Sequence, residues 1–114
     1  MKVKCIAMWS GPRNLSTALM RSFSSRTDCS VVDEPFYAAY LSASGIKHPL
    51  KDKIIEQYNT DAVDVARNCV DGIGRKPIEY QKHMTHHMLK DFDRRFIRNL
   101  SNAFLIRSIG SKIH

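Results

Sequence analysis

The sequence has 114 residues, with 18 Lys or Arg against 11 Asp or Glu and a formal net charge of +7. That length admits one domain, and 43% hydrophobic with 25% charged content excludes a disordered or collagen-like chain. No apolar run approaches the ~20 residues of a membrane span. The basic balance favours anionic partners such as nucleotides and sulfated or phosphorylated compounds, while nucleic-acid modules are not expected, because zinc-finger spacing and aromatic–basic alternation are missing.

The first element is a strand over 3–9, Val-Lys-Cys-Ile-Ala-Met-Trp. It is nearly all apolar after Lys4, as strands of a parallel sheet are when both faces are buried. The run is too short for the apolar core of a signal peptide. Ser10 to Arg13 is turn chemistry punctuated by Gly11-Pro12. An amphipathic helix follows over 15–25, with Leu15, Ala18, Leu19 and Phe23 as its apolar positions.

Residues 29–33, Cys-Ser-Val-Val-Asp, read as a second strand closed by Glu34-Pro35. A short helix is expected over 36–41, then a polar connection over 42–53. One or two helices follow over 53–70, with Ile54, Ile55, Tyr58, Ala62, Val65 and Ala66 turned inward. Gly72 and Gly74 interrupt the chain. A third strand is expected over 77–83, helical stretches over 86–92 and 93–99, and a fourth strand over 103–107.

Strands alternating with helices imply an α/β fold on a parallel sheet with right-handed crossovers, helices forming layers on both faces. After the fourth strand only Ser-Ile-Gly-Ser-Lys-Ile-His remains, with no helix to cover that side. The chain therefore reads as the N-terminal part of one domain, cut short.

Cys5, Cys29 and Cys69 show neither CxxC nor Cys/His metal spacing. They read as reduced packing residues of an intracellular, cytoplasmic protein. Met8, Met20, Met84 and Met88 read as core filling.

The segment with most chemistry is 9–17, Trp-Ser-Gly-Pro-Arg-Asn-Leu-Ser-Thr. An apolar strand delivers it to the C-terminal edge of the sheet, where open α/β sheets bind ligands. Gly11 turns without a side chain near the ligand, and the free N–H groups of the following helix point at an anion. Arg13 offers a guanidinium fork suited to phosphate or sulfate, and Ser16 and Thr17 offer hydroxyls that bind the anion or cap the helix. An ATP or GTP loop of the GxxxxGK[ST] type needs a Gly-Lys before its hydroxyl residue, and none stands there. Phosphoryl transfer is disfavoured accordingly.

The order Gly11-Pro12-Arg13-Asn14-Leu15-Ser16-Thr17 resembles the nucleotide loop of the sulfotransferase superfamily, with Asn14 and Leu15 where many members carry Ser and Gly. Together with Val31-Val-Asp-Glu-Pro-Phe-Tyr and Gln81-Lys-His-Met-Thr-His-His, it resembles a sulfotransferase-like P-loop family across nearly the whole chain. The resemblance implies a three-layer P-loop-type fold and sulfuryl transfer from 3′-phosphoadenosine 5′-phosphosulfate, a co-substrate, to a small-molecule acceptor it does not identify. Gly11, Arg13, Asn14, Ser16 and Thr17 would hold the 5′-phosphosulfate and Arg107 the 3′-phosphate. A serine partner expected about eight residues beyond that arginine is missing.

Lys82, His83 and His86 are the candidate catalytic residues. The transfer needs a cation for the departing bridging oxygen and a base for the acceptor's proton, and His titrates in the useful range. Whether His83 or His86 is that base is left open by the register of the motif. No metal is expected, because the histidines lack an acidic third ligand at HExxH spacing. Asp33 and Glu34 could orient an acceptor, pair with Arg13 or cap the strand. A nucleotide-binding fragment without catalysis, or an inactive truncated form, is the alternative expectation.

Overall fold

The computed structural model describes residues 3–11, 15–72, 74 and 76–105. Among them are four strands, β1 (Lys4–Ser10), β2 (Cys29–Asp33), β3 (Ile78–Met84) and β4 (Ser101–Leu105), and four helices, α1 (Ser16–Ser24), α2 (Tyr37–Ser44), α3 (Lys51–Gln57) and α4 (Ala62–Asp71). The strands form one sheet in the order β2-β3-β1-β4, every pair parallel. The fold is α/β, as the alternation of elements predicts.

The path of the chain assigns the faces. From β1 the chain steps two places outward to β2, and α1 covers β2 and β3 on one face. Both later crossings run the opposite way, so right-handed connections require their helices on the opposite face. There α4 packs against β1 and against a 3₁₀ turn, Arg95–Asn99. The core on that side comprises Cys5, Ala7, Trp9, Phe36, Val65, Cys69, Phe96 and Leu100. Alternation along β1 puts Cys5, Ala7 and Trp9 on one face, the face that meets this core.

The three cysteines are free thiols, all buried. Burial raises Cys69 to about 12 and Cys5 to about 11, with the Glu79 carboxylate adding to both. They are small packing groups, as their spacing suggests.

Several expected details are corrected. The inward stripe of α1 is not led by Leu15, which is 79% exposed. Ser16 is buried instead, and Phe23 stacks on Tyr80 at 4.3 Å. Leu19 and Phe23 lie on the inward side as expected, whereas Leu15 and Ala18 are exposed and Ser16 and Met20 take the remaining inward positions. Nor do the hydroxyls cap α1: Leu15 occupies the cap position, with no side-chain capping bond.

The supposed connection 42–53 is partly helical. Helix α2 runs to Ser44 and stops at Gly45 in the left-handed conformation, and α3 begins at Lys51. Asp61 separates α3 from α4 by accepting the amides of Val63 and Asp64. Tyr58, in that junction, is 64% exposed instead of inward.

The stretch 86–92 forms only a 3₁₀ turn, Thr85–His87, and then irregular backbone. Arg94 donates to the carbonyls of Met88 and Leu89, and Asp93 accepts the amide of Arg95. Side chains take backbone groups that a continued helix would use. The fourth strand begins at Ser101, two residues earlier than expected, and is described to Leu105.

Candidate functional site

The sheet's topology decides where a ligand can sit. Strand β1 has β3 on one side and β4 on the other, and from the C-terminal ends of the adjacent strands β1 and β3 the chain runs in opposite directions, to β2 and to β4. Such a switch point opens a crevice outside the C-terminal ends of the strands. Ser10, the last residue of β1, pairs in register with Met84 of β3 and with Leu105 of β4. Its buried hydroxyl lies 3.7 Å from the sulfur of Met84.

Lys82 stands at this edge. It lies opposite Asp33 in the β2–β3 register, and its side chain is almost wholly buried. The ammonium donates to Thr17 Oγ1 at 2.9 Å and to Glu34 Oε2 at 2.9 Å, with Asp33 Oδ1 3.6 Å away. Three elements therefore meet on one cation: the first turn of α1, the end of β2 and the end of β3. A buried ammonium needs such partners, because an unpaired charge away from water is costly.

Glu34 is held on two sides. It faces Lys82 through Oε2 and lies 3.7 Å from His87 Nε2 through Oε1. Its backbone has φ +48°, unlike any other non-glycine residue among those described. Backbone held in this region is sparsely populated and persists only where its surroundings fix it. Here the Glu34 amide donates to Lys82 O at 2.9 Å, continuing the strand pairing around the bend.

One step along β3 reverses the face. His83 turns away from Lys82 and is 1% exposed. Its ring stacks on Trp9 at 4.4 Å, and Nε2 lies 2.9 Å from Gln81 Oε1. Gln81 in turn donates to Glu79 at 2.7 Å and to Cys69 O at 2.8 Å. Residues 79, 81 and 83 thus form a buried polar row beneath α4. Burial, and after it the neighbouring His87, lowers the His83 pKa to about 3, so the ring is neutral.

His86 and His87 sit in the turn after β3. His86 is exposed and sets its ring against Tyr40 at 5.4 Å and against His87 at 4.6 Å. His87 is buried between Tyr37 at 5.3 Å and Tyr40 at 4.9 Å. Burial first, then His86 and Lys82, lowers its pKa to about 4. Both histidines line a cleft of about 690 Å³ together with Asp33, Glu34, Tyr37 and Tyr58. Its size is ordinary for a small-molecule pocket.

Lys82 and His86 are therefore brought to one edge of the sheet, with Thr17 and the buried Ser16 at the start of α1. Gly11 follows β1 directly, with open space where a side chain would stand. His83 points to the opposite face from Lys82 and is enclosed by Trp9 and Phe36, out of reach of the cleft. Arg13, Asn14 and Arg107 lie outside the described residues. His87 belongs to the His-His pair that the motif already marks, whereas Tyr37, Tyr40 and Tyr58 were not singled out as site residues. The signal for two of them was present, since Tyr37 and Tyr40 stand three apart on a helix and so share one face.

Residues 3–113 match the family model described as Sulfotransferase domain. The chain belongs to the sulfotransferase domain family. This sulfotransferase-like chain is also 35% identical over 106 residues to the branched-chain-amino-acid aminotransferase-like protein 2 of Arabidopsis thaliana, covering 93% of the chain and 19% of that relative. It is 36% identical over 103 residues to protein 1 of the same name and organism, covering 90% of the chain and 19% of the relative. Both names belong to whole proteins of which the chain spans about a fifth. No solved structure matches it at a significant level. Among the described residues, no helix is long and apolar enough to cross a membrane. No group of three or more His, Cys, Asp or Glu placed to hold a metal ion occurs among them either.

Proposed function

We propose that the chain carries the donor site for sulfuryl transfer from 3′-phosphoadenosine 5′-phosphosulfate to a small-molecule acceptor. The observation that carries this reading is the placement of Lys82, whose ammonium ties the start of α1 to the C-terminal ends of β2 and β3. The family match supports the reaction class.

In this reading Gly11, Arg13, Asn14, Ser16 and Thr17 receive the 5′-phosphosulfate at the start of α1, and Arg107 receives the 3′-phosphate. Lys82 neutralises the bridging oxygen as the sulfur–oxygen bond to the phosphate breaks. His86 accepts the acceptor's proton as its nucleophilic atom bonds to sulfur. His86 is preferred to His83 because it is exposed at the cleft, whereas His83 is sealed beneath the sheet. Rate enhancement then derives mostly from positioning and charge stabilisation. The acceptor is a small molecule, and nucleic acid and membrane are not partners in this scheme.

Ligand-dependent melting tests the proposal. A ligand that binds only the folded state raises the midpoint by mass action. The 3′,5′-adenosine bisphosphate product should raise the melting temperature of the 114-residue chain, and magnesium-ATP should raise it much less. A larger rise with magnesium-ATP would replace sulfuryl by phosphoryl chemistry.

A further inference from the structure

We propose that the cleft beside Lys82 is an acceptor subsite selective for a hydroxyl compound that carries a protonated amine. The inference rests on the sulfuryl-transfer reading for its hydroxyl, and on the cleft's own chemistry for its amine.

The cleft differs in sign from the rest of the protein. On a chain with net charge +7, its described lining holds two carboxylates, Asp33 and Glu34, and no Lys or Arg. Lys82 adjoins it from behind and pairs closely with Glu34 at 2.9 Å. Asp33 is more loosely engaged at 3.6 Å, with a side chain 56% exposed. An excess of one negative charge therefore remains, concentrated on the carboxylate that faces solvent. An anionic acceptor would meet repulsion here, whereas an ammonium finds a carboxylate and loses little hydration in reaching it.

The walls have the same preference. Tyr37 and Tyr58 line the cleft with the rings of His86 and His87, and Ile54 and Ala38 supply an apolar patch. Aromatic faces beside carboxylates suit cations, because the ring quadrupole adds to the charge attraction. The 64% exposed Tyr58 has apolar surface to cover, and a ligand in the cleft would cover it.

His87 supplies an independent observation. It is 2% exposed and neutral, with Nε2 directed at the Glu34 carboxylate and Nδ1 buried without a hydrogen-bond partner. A proton on Nε2 is favoured by the facing carboxylate, which leaves Nδ1 as an acceptor with no donor. The buried Nδ1 itself is out of a ligand's reach, so what this wall presents is an uncharged ring beside the Glu34 carboxylate, which accommodates an ammonium.

The test uses three small alcohols of one shape: trans-4-aminocyclohexanol, cyclohexanol and trans-4-hydroxycyclohexanecarboxylate. Each is titrated into the 114-residue chain by NMR, with and without saturating 3′,5′-adenosine bisphosphate. The amine should bind at least tenfold tighter than the neutral alcohol, and the carboxylate weakest. Asp33→Asn should remove most of that preference, and Tyr58→Ala should weaken the amine several-fold. Both positions are exposed, so neither variant should lower the melting temperature appreciably. Equal binding of the three alcohols, tightest binding of the carboxylate, no binding by any, or an amine preference that survives Asp33→Asn would each overturn the proposal. If the amine is selected but the adenosine bisphosphate does not bind, the cleft assignment stands and the donor reading fails.

Discussion

The ammonium of Lys82 and the hydroxyl of Thr17 meet at 2.9 Å across 65 positions of sequence. Lys82 closes a strand and Thr17 opens a helix, so this one contact fixes the start of α1 against the edge of the sheet. In the proposed donor site it also sets a cation beside the start of that helix. A bond donated by a charged group is worth about 1.5–3 kcal/mol.

Removing either partner should therefore have effects that do not add. Urea unfolding of Thr17→Val, Lys82→Met and the double variant gives the coupling directly. About 0.5–3 kcal/mol is expected, as for residues in direct contact. Lys82→Met should be the more damaging single change, because it also strands Glu34. Strict additivity would mean that the contact does not organise the site.

Two neutral histidines make stability depend on pH. His83 and His87 have pKa values lowered from 6.5 to about 3 and about 4, burial being the main cause in each. Above pH 6.5 both rings are neutral whether the chain is folded or not, and they contribute no slope. Below it the unfolded chain takes up protons that the folded chain refuses, so stability falls as pH falls. Each ring removes about 1.4 kcal/mol per pH unit until its folded value is reached. Denaturant midpoints measured from pH 7 to 4.5 should show this decline, and His83→Gln should reduce its slope by about half, leaving the part due to His87. A flat wild-type profile would contradict the neutral, buried assignment.

Gly72 closes α4 with φ +73°, and a methyl group there would meet Cys5 Sγ and Val3 Cγ1 at 3.1 Å each. Gly72→Ala combines left-handed backbone with a crowded contact, and should cost about 1–3 kcal/mol. Gly74, also at positive φ, has open space around it, so its alanine variant should lose less. Paired unfolding curves decide this, and a larger loss at Gly74 would refute it.

Much of this fold could be read before the structure. Strands β1 to β3 fall within a residue or two of their expected limits, because buried parallel strands leave continuous apolar runs closed by turn residues. The parts that escaped depend on phase and on competition. In α1 the leucine at position 15 suggests an inward face, yet the sheet's edge lies under Ser16. In the turns after β3, Arg94 and Asp93 take backbone partners from a helix whose side-chain pattern is otherwise adequate.

The candidate site divides the same way. Thr17, Lys82 and His86 were named from motif order, and the structure brings them to one edge. His83 was named with them, although strand alternation alone turns it from Lys82. The cleft walls were not legible, because Tyr37 and Tyr58 stand 21 residues apart in sequence and their meeting depends on tertiary packing.

Calorimetric titration of the chain with 3′,5′-adenosine bisphosphate is the most direct measurement of the donor site. Saturable 1:1 binding is expected, abolished by Arg13→Ala and weakened at least tenfold by Lys82→Met. A chain that melts cooperatively yet gives no heat with this nucleotide would contradict it.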